Sequence, residues 1–142
     1  MATIALFNHS AKVLANSEVN IANLKVMLVG AGYTFDPFDT SMDYIDNNEV
    51  WGNGWPAGGQ AVASAAITIT GGNDAMLDAT DISVTASGGT IGPATGGVLY
   101  EADSPGGLPL AYIDFQGSES AGNGTNFNIS WNASGIITWT YT

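Results

Sequence analysis

The 142-residue chain is strongly acidic and contains no cysteine. Its 13 acidic residues against Lys12 and Lys25 give a formal net charge of -11, which excludes direct DNA or RNA binding because such binding draws its affinity from basic patches. The lack of cysteine excludes disulfide scaffolds, thiolate metal sites and cysteine nucleophiles, and it fits folding in a reducing cytosol. A hydrophobic content of 45% excludes a disordered acidic tail and, at this length, predicts a single domain over residues 1–142.

The first part of the chain, residues 1–20, is expected to form an N-terminal arm or an edge strand. Its apolar run from Ile4 to Phe7 is the segment predicted to pair with a neighbour. The N-terminus shows no basic region followed by an apolar run, and no stretch approaches membrane-spanning length. We therefore expect neither a visible secretion signal nor contact with a membrane.

Beyond residue 20 the apolar runs are short, rich in β-branched residues and separated by glycine. This spacing predicts an all-β fold, a single-domain antiparallel β-sandwich, jelly-roll-like or immunoglobulin-like, with at most one short helix. The helix is expected between Asp36 and Val50, where apolar residues interleave with acids. The expected strands are Lys25–Val29, Val62–Thr70, Asp81–Thr85, Gly97–Tyr100 and Leu110–Phe115. The expected loops are Gly52–Gly59, Gly71–Asn73, Ser87–Gly97, Ser104–Gly107 and Gly117–Gly124.

The C-terminal segment from Asn126 to Thr142 alternates large apolar and small polar residues. A four-residue step, Asn132 to Gly135, separates two such runs, and the pattern predicts a β-hairpin. One face of each strand is expected to be buried as sandwich core. The residues on these faces are Phe127, Ile129 and Trp131 in the first strand and Ile137, Trp139 and Tyr141 in the second.

Candidate catalytic groups are few. His9 is the only histidine, and Ser10 beside it is too close in sequence to indicate a catalytic triad. Five acids recur every three or four positions, a spacing typical of a solvated helix face, and no segment reproduces an EF-hand loop. These acids are Asp36, Asp39, Asp43, Asp46 and Glu49. We predict no catalytic residue, no cofactor and no metal site, hence no enzyme, while weak calcium binding and hydrolysis by an acid pair remain alternatives.

A glycine-rich connection carries two tryptophans, Trp51 and Trp55, with Pro56 directly after the second. One interpretation is a platform on which sugar rings stack. The favoured interpretation is a loop folded back so that a tryptophan plugs the sandwich or contacts a neighbouring subunit.

Several motifs occur in the same order as in a family of small structural proteins of tailed bacteriophage virions, which this chain resembles from Leu24 onward. They are a Leu-Lys-Val-x-Leu strand at Leu24–Leu28, a Tyr-Thr and acid-rich stretch at Tyr33–Asp46, a glycine-rich segment at Glu49–Gly59, Leu77–Ile82, Val98–Tyr100, Ala111–Phe115 and the ending Phe127–Ile136. The resemblance implies a virion component, and no catalytic residue is carried over from the family.

A capsid decoration, or cement, protein is the leading hypothesis within that family. A small, β-rich, acidic, cysteine-free chain suits the exterior of a capsid, where it would bind the major capsid protein and other copies of itself as a homodimer or homotrimer after assembly in the host cytoplasm. The alternatives are a tail or neck component and a carbohydrate-binding adhesin module. The residues predicted to make contacts are Ile4, Leu6, Phe7, Trp51, Trp55 and Pro56.

Overall fold

The computed structural model describes residues 2–140, which form an all-β sandwich with one short α-helix in that range. The strands are β1 (Thr3–Leu6), β2 (Leu24–Val29), β3 (Glu49–Val50), β4 (Gln60–Ala61), β5 (Ala66–Gly71), β6 (Asp74–Asp78), β7 (Ile82–Thr85), β8 (Ile91–Glu101), β9 (Leu108–Ala121), β10 (Asn126–Ile129) and β11 (Ile137–Trp139). The helix α1 is Ser10–Ala15, and single 3-10 turns lie at Ile21–Asn23 and Asp46–Asn48. No helix among the residues described is long and apolar enough to cross a membrane.

The larger layer is a six-stranded antiparallel sheet in the order β1-β9-β8-β2-β3, with β4 also paired to β2. The long hairpin of β8 and β9 forms its centre. Strand β2 is apolar apart from Lys25 and is buried on both faces, because one face meets the main core and the other meets a second cluster. The sheet therefore occupies the middle of the molecule.

Two smaller sheets form the opposite layer of the main core. One pairs β10 with β7, and the other has the order β11-β6-β5. Their inward side chains pack against those of the six-stranded sheet, among them Leu77, Ile82, Phe127, Ile129 and Ile137. The second cluster covers the other face of the large sheet and draws Met42 and Ile45 from the segment that follows β2.

The prediction of a helix between Asp36 and Val50 is wrong. That segment consists of turns, a single 3-10 turn at Asp46–Asn48 and the short strand β3. Met42 and Ile45 are 4% and 0% exposed, so tertiary packing and not a helical stripe uses these apolar residues. The short helix allowed by the prediction lies instead at Ser10–Ala15.

The predicted C-terminal hairpin has the right strands but the wrong partners. Strand β10 pairs with β7, with Phe127 opposite Val84, whereas β11 pairs with β6, with Ile137 opposite Leu77. Phe127 is buried as expected, and Trp131 and Trp139 are half-buried against the core, while Tyr141 lies outside the described residues. Alternation shows which face is buried but not which strand lies alongside, so it could not separate these pairings.

Two of the expected loops are largely strand. Strand β8 includes residues 91–97 and strand β9 includes residues 117–121, where glycine density predicts connections. A Cβ at Gly96 would lie 2.6 Å from the Ile113 carbonyl oxygen, and one at Gly97 would lie 2.9 Å from Val26 Cγ1. These glycines allow close approach within the sheet and do not mark turns.

Candidate interaction surface

The residues predicted to make contacts divide into exposed and buried sets. Trp51 is 63% exposed, and Pro56 is also exposed. Ile4 and Leu6 of β1 are 36% and 43% exposed, at one edge of the six-stranded sheet. Four of the six side chains are therefore open to a partner, and they lie at two separate places.

The prediction that Phe7 and Trp55 make contacts is wrong, since each side chain is only 1% exposed. The Phe7 ring packs edge-on against Phe35 at 5.0 Å between ring centroids, inside the second cluster. The Trp55 ring packs edge-on against Phe127 at 5.4 Å, inside the main core. Neither side chain can reach another molecule, and Trp55 is the tryptophan that plugs the sandwich.

The loop between Trp51 and Gly59 is held by its own backbone. Gly52 N donates to the Trp55 carbonyl oxygen at 2.8 Å, and Trp55 N donates to that of Gly52 at 3.1 Å. Gly59 N donates to the Pro56 carbonyl oxygen at 3.0 Å. With Trp55 as anchor, these bonds fix the loop in one shape, so Trp51 and Pro56 are presented by a rigid support.

Hydrogen bonds that involve side chains join the same loop to the rest of the protein at Gly58 and Asn53. Gly58 N donates to Glu49 Oε1 at 2.5 Å, and the Tyr100 hydroxyl donates to the Gly58 carbonyl oxygen. Burial, together with the nearby charges of Glu49 and Asp46, raises the pKa of Tyr100, so this hydroxyl keeps its proton at neutral pH. Asn53 Nδ2 donates to the Thr90 carbonyl oxygen at 2.7 Å.

Gly59 is the position where this loop tolerates a side chain least. Its φ is +102°, and an added Cβ would lie 2.5 Å from the Val26 carbonyl oxygen on β2. We expect Gly59→Ala to lower the free energy of unfolding by about 2 kcal/mol, through left-handed backbone strain and a clash that the sheet cannot relieve. Urea unfolding measures this change. Gly122→Ala is the control, because nothing lies within 4 Å of a Cβ there, and an equal loss in both variants would contradict the prediction.

A cavity of about 830 Å³ opens between the two layers of the sandwich, beside the free edges of β1 and β10. Its apolar lining includes Ile113, Phe115 and Phe127, and its polar lining is largely amide and hydroxyl side chains. Among the described residues that line the cavity, Glu119 is the one with a charged side chain. Sequence reasoning missed the site because β1 and β10 lie more than a hundred residues apart, and no local pattern links them.

Trp131 contributes to this cavity with a fixed orientation. Its indole Nε1 donates to the Thr80 carbonyl oxygen at 3.1 Å, and its backbone N donates to Asp81 Oδ1 at 2.8 Å. The ring is therefore set before any ligand arrives. The side-chain amides of Asn126, Asn128 and Asn132 supply both donors and acceptors to the lining of the same cavity.

The acidic segment does not form the shared helix face that its spacing predicts. Asp36 Oδ1 accepts from Phe38 N at 2.9 Å and caps a turn, while desolvation and the charge of Asp36 raise the pKa of Asp39. Between residues 2 and 140, no group of three or more His, Cys, Asp or Glu side chains is arranged to hold a metal ion. His9 Nε2 lies 2.6 Å from the Pro109 carbonyl oxygen, so this nitrogen donates there.

No family model matches the chain, and neither the curated proteins nor the solved structures compared with it include a match.

Proposed function

We propose that this chain is a structural protein of a tailed bacteriophage virion, a decoration protein that binds the outside of the major capsid protein shell. The ordered motifs from Leu24 to Ile136 support the virion assignment by their resemblance to that family. The observation that carries the proposal is the uncharged stretch of residues 50–73 in a chain of net charge -11, with Trp51 exposed on a rigid loop at its start. A partner that covers side chains of this stretch buries no charge that belongs to it.

In this proposal a rigid loop lowers the entropic cost of each contact, and the repetition of contacts around the shell raises the avidity. A loop already held by Trp55, Glu49 and Tyr100 loses little conformational entropy when a partner docks on it. A contact of standard size buries about 800 Å² on each partner, and repetition around the shell raises the total avidity without stronger single contacts. Such a clamp would resist the outward pressure of packaged DNA.

Reconstitution on the shell tests the proposal. Virions stripped of this protein are mixed with the purified chain and imaged by cryo-electron microscopy, and ordered density at the local symmetry axes of the head is the expected result. Density on the tail or neck would favour that alternative, and no density anywhere on the particle would overturn the virion assignment.

Replacing Trp51 with alanine is expected to weaken capsid binding by about 30-fold, since tryptophans at interface centres are typically worth about 2 kcal/mol or more. Sedimentation of stripped capsids with a titration of the protein measures the loss. Phe38→Ala is the matched control, because this ring is 77% exposed and its segment bonds to the chain just after β1, at the opposite edge of the large sheet from β3. If both variants bind alike, the Trp51 loop is not the contact.

The cavity beside β10 favours carbohydrate binding as a second candidate function. An oriented indole at Trp131 with uncharged amide and hydroxyl groups around it suits a neutral sugar, whose ring stacks while its hydroxyls form hydrogen bonds. The platform of Trp51 and Trp55 suggested by the sequence is excluded, because Trp55 is buried. Glycan-dependent quenching of tryptophan fluorescence that Trp131→Ala abolishes, and Trp51→Ala does not, would support this candidate.

A further inference from the structure

Strand β5 is an edge strand that is exposed to solvent along its whole length. It lies at the end of the three-stranded sheet β11-β6-β5, and all six of its residues are exposed. One side of its backbone pairs with β6, and the other side has no strand alongside it among residues 2–140. Edge strands of natural proteins are normally protected by charge, proline or a bulge that twists them away from a partner. The bulge here comes only after Ile69, at the tip.

The side chains of β5 leave an apolar surface uncovered. Ile67 is opposite Leu77, and Ile69 is opposite Ala75, so both isoleucines lie on the core face of their sheet. Leu77 is fully buried, but Ile67 is 44% exposed and Ile69 is 81% exposed. The core face therefore continues outward past the part of the sandwich that covers it.

Charge permits two copies to meet at this place. Each chain carries a net charge of -11, so most orientations of two copies are repulsive. Strand β5 lies within the uncharged stretch of residues 50–73, and its threonines and isoleucines carry no charge. No charged side chain of β5 therefore meets its counterpart in the other copy, and the acids Asp74 and Asp78 lie one strand further from the axis, on β6.

The sequence of β5 reads almost the same in both directions, as Ala66-Ile67-Thr68-Ile69-Thr70. We propose that two copies of this chain pair through β5, antiparallel, about a two-fold axis at Thr68. In this register Ile67 of each copy lies opposite Ile69 of the other, and Ala66 lies opposite Thr70. Four isoleucines then form one patch on the core side, whereas a shift by one residue would place isoleucine opposite threonine.

The paired strands join two three-stranded sheets into one six-stranded sheet across the axis. Backbone groups at the edge gain partners, and the exposed isoleucines gain apolar neighbours. The second copy is the favoured occupant because a two-fold contact needs a self-complementary surface, and this strand has one. The inference does not depend on the capsid role, since the purified chain alone tests it.

A single cysteine tests the register, because the chain has none of its own. Opposed residues of an antiparallel pair have Cα atoms about 4.5–5.5 Å apart, within the range that a disulfide spans. Thr68→Cys is expected to convert to a disulfide-linked dimer rapidly under oxidised glutathione. Ser118→Cys on β9 is the control for random collision, since Ser118 is also exposed. Equal rates of cross-linking in the two variants would overturn the register.

A charge substitution tests the surface independently. Analytical ultracentrifugation of the unmodified chain should show a concentration-dependent dimer, and Ile69→Asp should weaken this dimer by about tenfold or more. Ser83→Asp adds the same charge at an exposed position on β7 and should leave the dimer unchanged, with circular dichroism confirming that both variants are folded. A monomer at millimolar concentration, or a dimer that Ile69→Asp leaves intact, would overturn the proposal.

Discussion

Truncation of Trp55 to alanine is expected to lower the free energy of unfolding by about 3–5 kcal/mol, the usual range for removal of a large aromatic from a core. Trp55 is 1% exposed and lies against Phe127, at the point where the two layers of the sandwich meet. Its loss leaves a cavity and also frees the loop from Gly52 to Gly59 from its anchor. A domain of ordinary stability, about 5–15 kcal/mol, would lose a large share of it.

Trp51→Ala is the matched control for this change, because it removes the same side chain from the same loop. Trp51 is 63% exposed, so we expect its loss to alter the free energy of unfolding by less than about 0.5 kcal/mol. Urea unfolding followed by far-ultraviolet circular dichroism measures both variants without relying on tryptophan fluorescence. Similar losses in the two variants would show that Trp55 is not the anchor.

Trp55→Phe gives an intermediate test of the same contact. The Trp55 indole Nε1 is buried and has no hydrogen-bond partner among the residues described. Phenylalanine removes this unsatisfied donor while it keeps an aromatic ring against Phe127, so it should cost less than alanine. A loss as large as that of Trp55→Ala would mean that the shape of the indole, and not its apolar bulk, is essential.

The strands with clear apolar patterns could be predicted from the sequence, but their partners could not. The largely apolar run Leu24–Val29 identifies a strand, and the alternation at Phe127 and Ile129 identifies a strand together with its buried face. Pairing of β10 with β7 depends on contacts across more than forty residues, which no local pattern encodes. Gly96 and Gly97 led to a wrong prediction of a loop, because glycine taken alone indicates a turn. Only the neighbouring strands show that these glycines allow close contact within the sheet.

The candidate surface was predicted in part, for a related reason. Composition identified the loop of Trp51 and Trp55 as unusual, but two tryptophans in one glycine-rich segment cannot be told apart until their burial is known. The structure separates an anchor, Trp55, from an exposed contact, Trp51. The sequence of the segment that includes β1 likewise does not show which side chains are buried. Ile4 and Leu6 are exposed, while Phe7, one residue further, lies in the second cluster.

Removal of the Glu101 carboxylate is expected to cost about 3 kcal/mol or more of unfolding free energy. Glu101 ends β8 and is 1% exposed, and its two oxygens accept four hydrogen bonds. The donors are Asp103 N, Ser104 N at 3.0 Å, Ser104 Oγ at 3.1 Å and Asn20 N at 3.4 Å. In Glu101→Ala these donors lose their acceptor inside the protein, and hydrogen bonds to a charged group are the stronger kind.

The same carboxylate connects the turn between β8 and β9 to the segment that enters β2. Asp103 strengthens that connection, since Asn20 Nδ2 donates to its carboxylate at 2.8 Å and Asn23 Nδ2 donates there as well. Glu101→Ala should therefore increase amide hydrogen exchange in residues 20–23 and 102–107 together, beyond any global loss of stability. Glu119→Ala removes an exposed acid from β9 and controls for the change in net charge. If Glu101→Ala is as stable as Glu119→Ala, or if exchange rises only in the turn, the carboxylate does not connect the two segments.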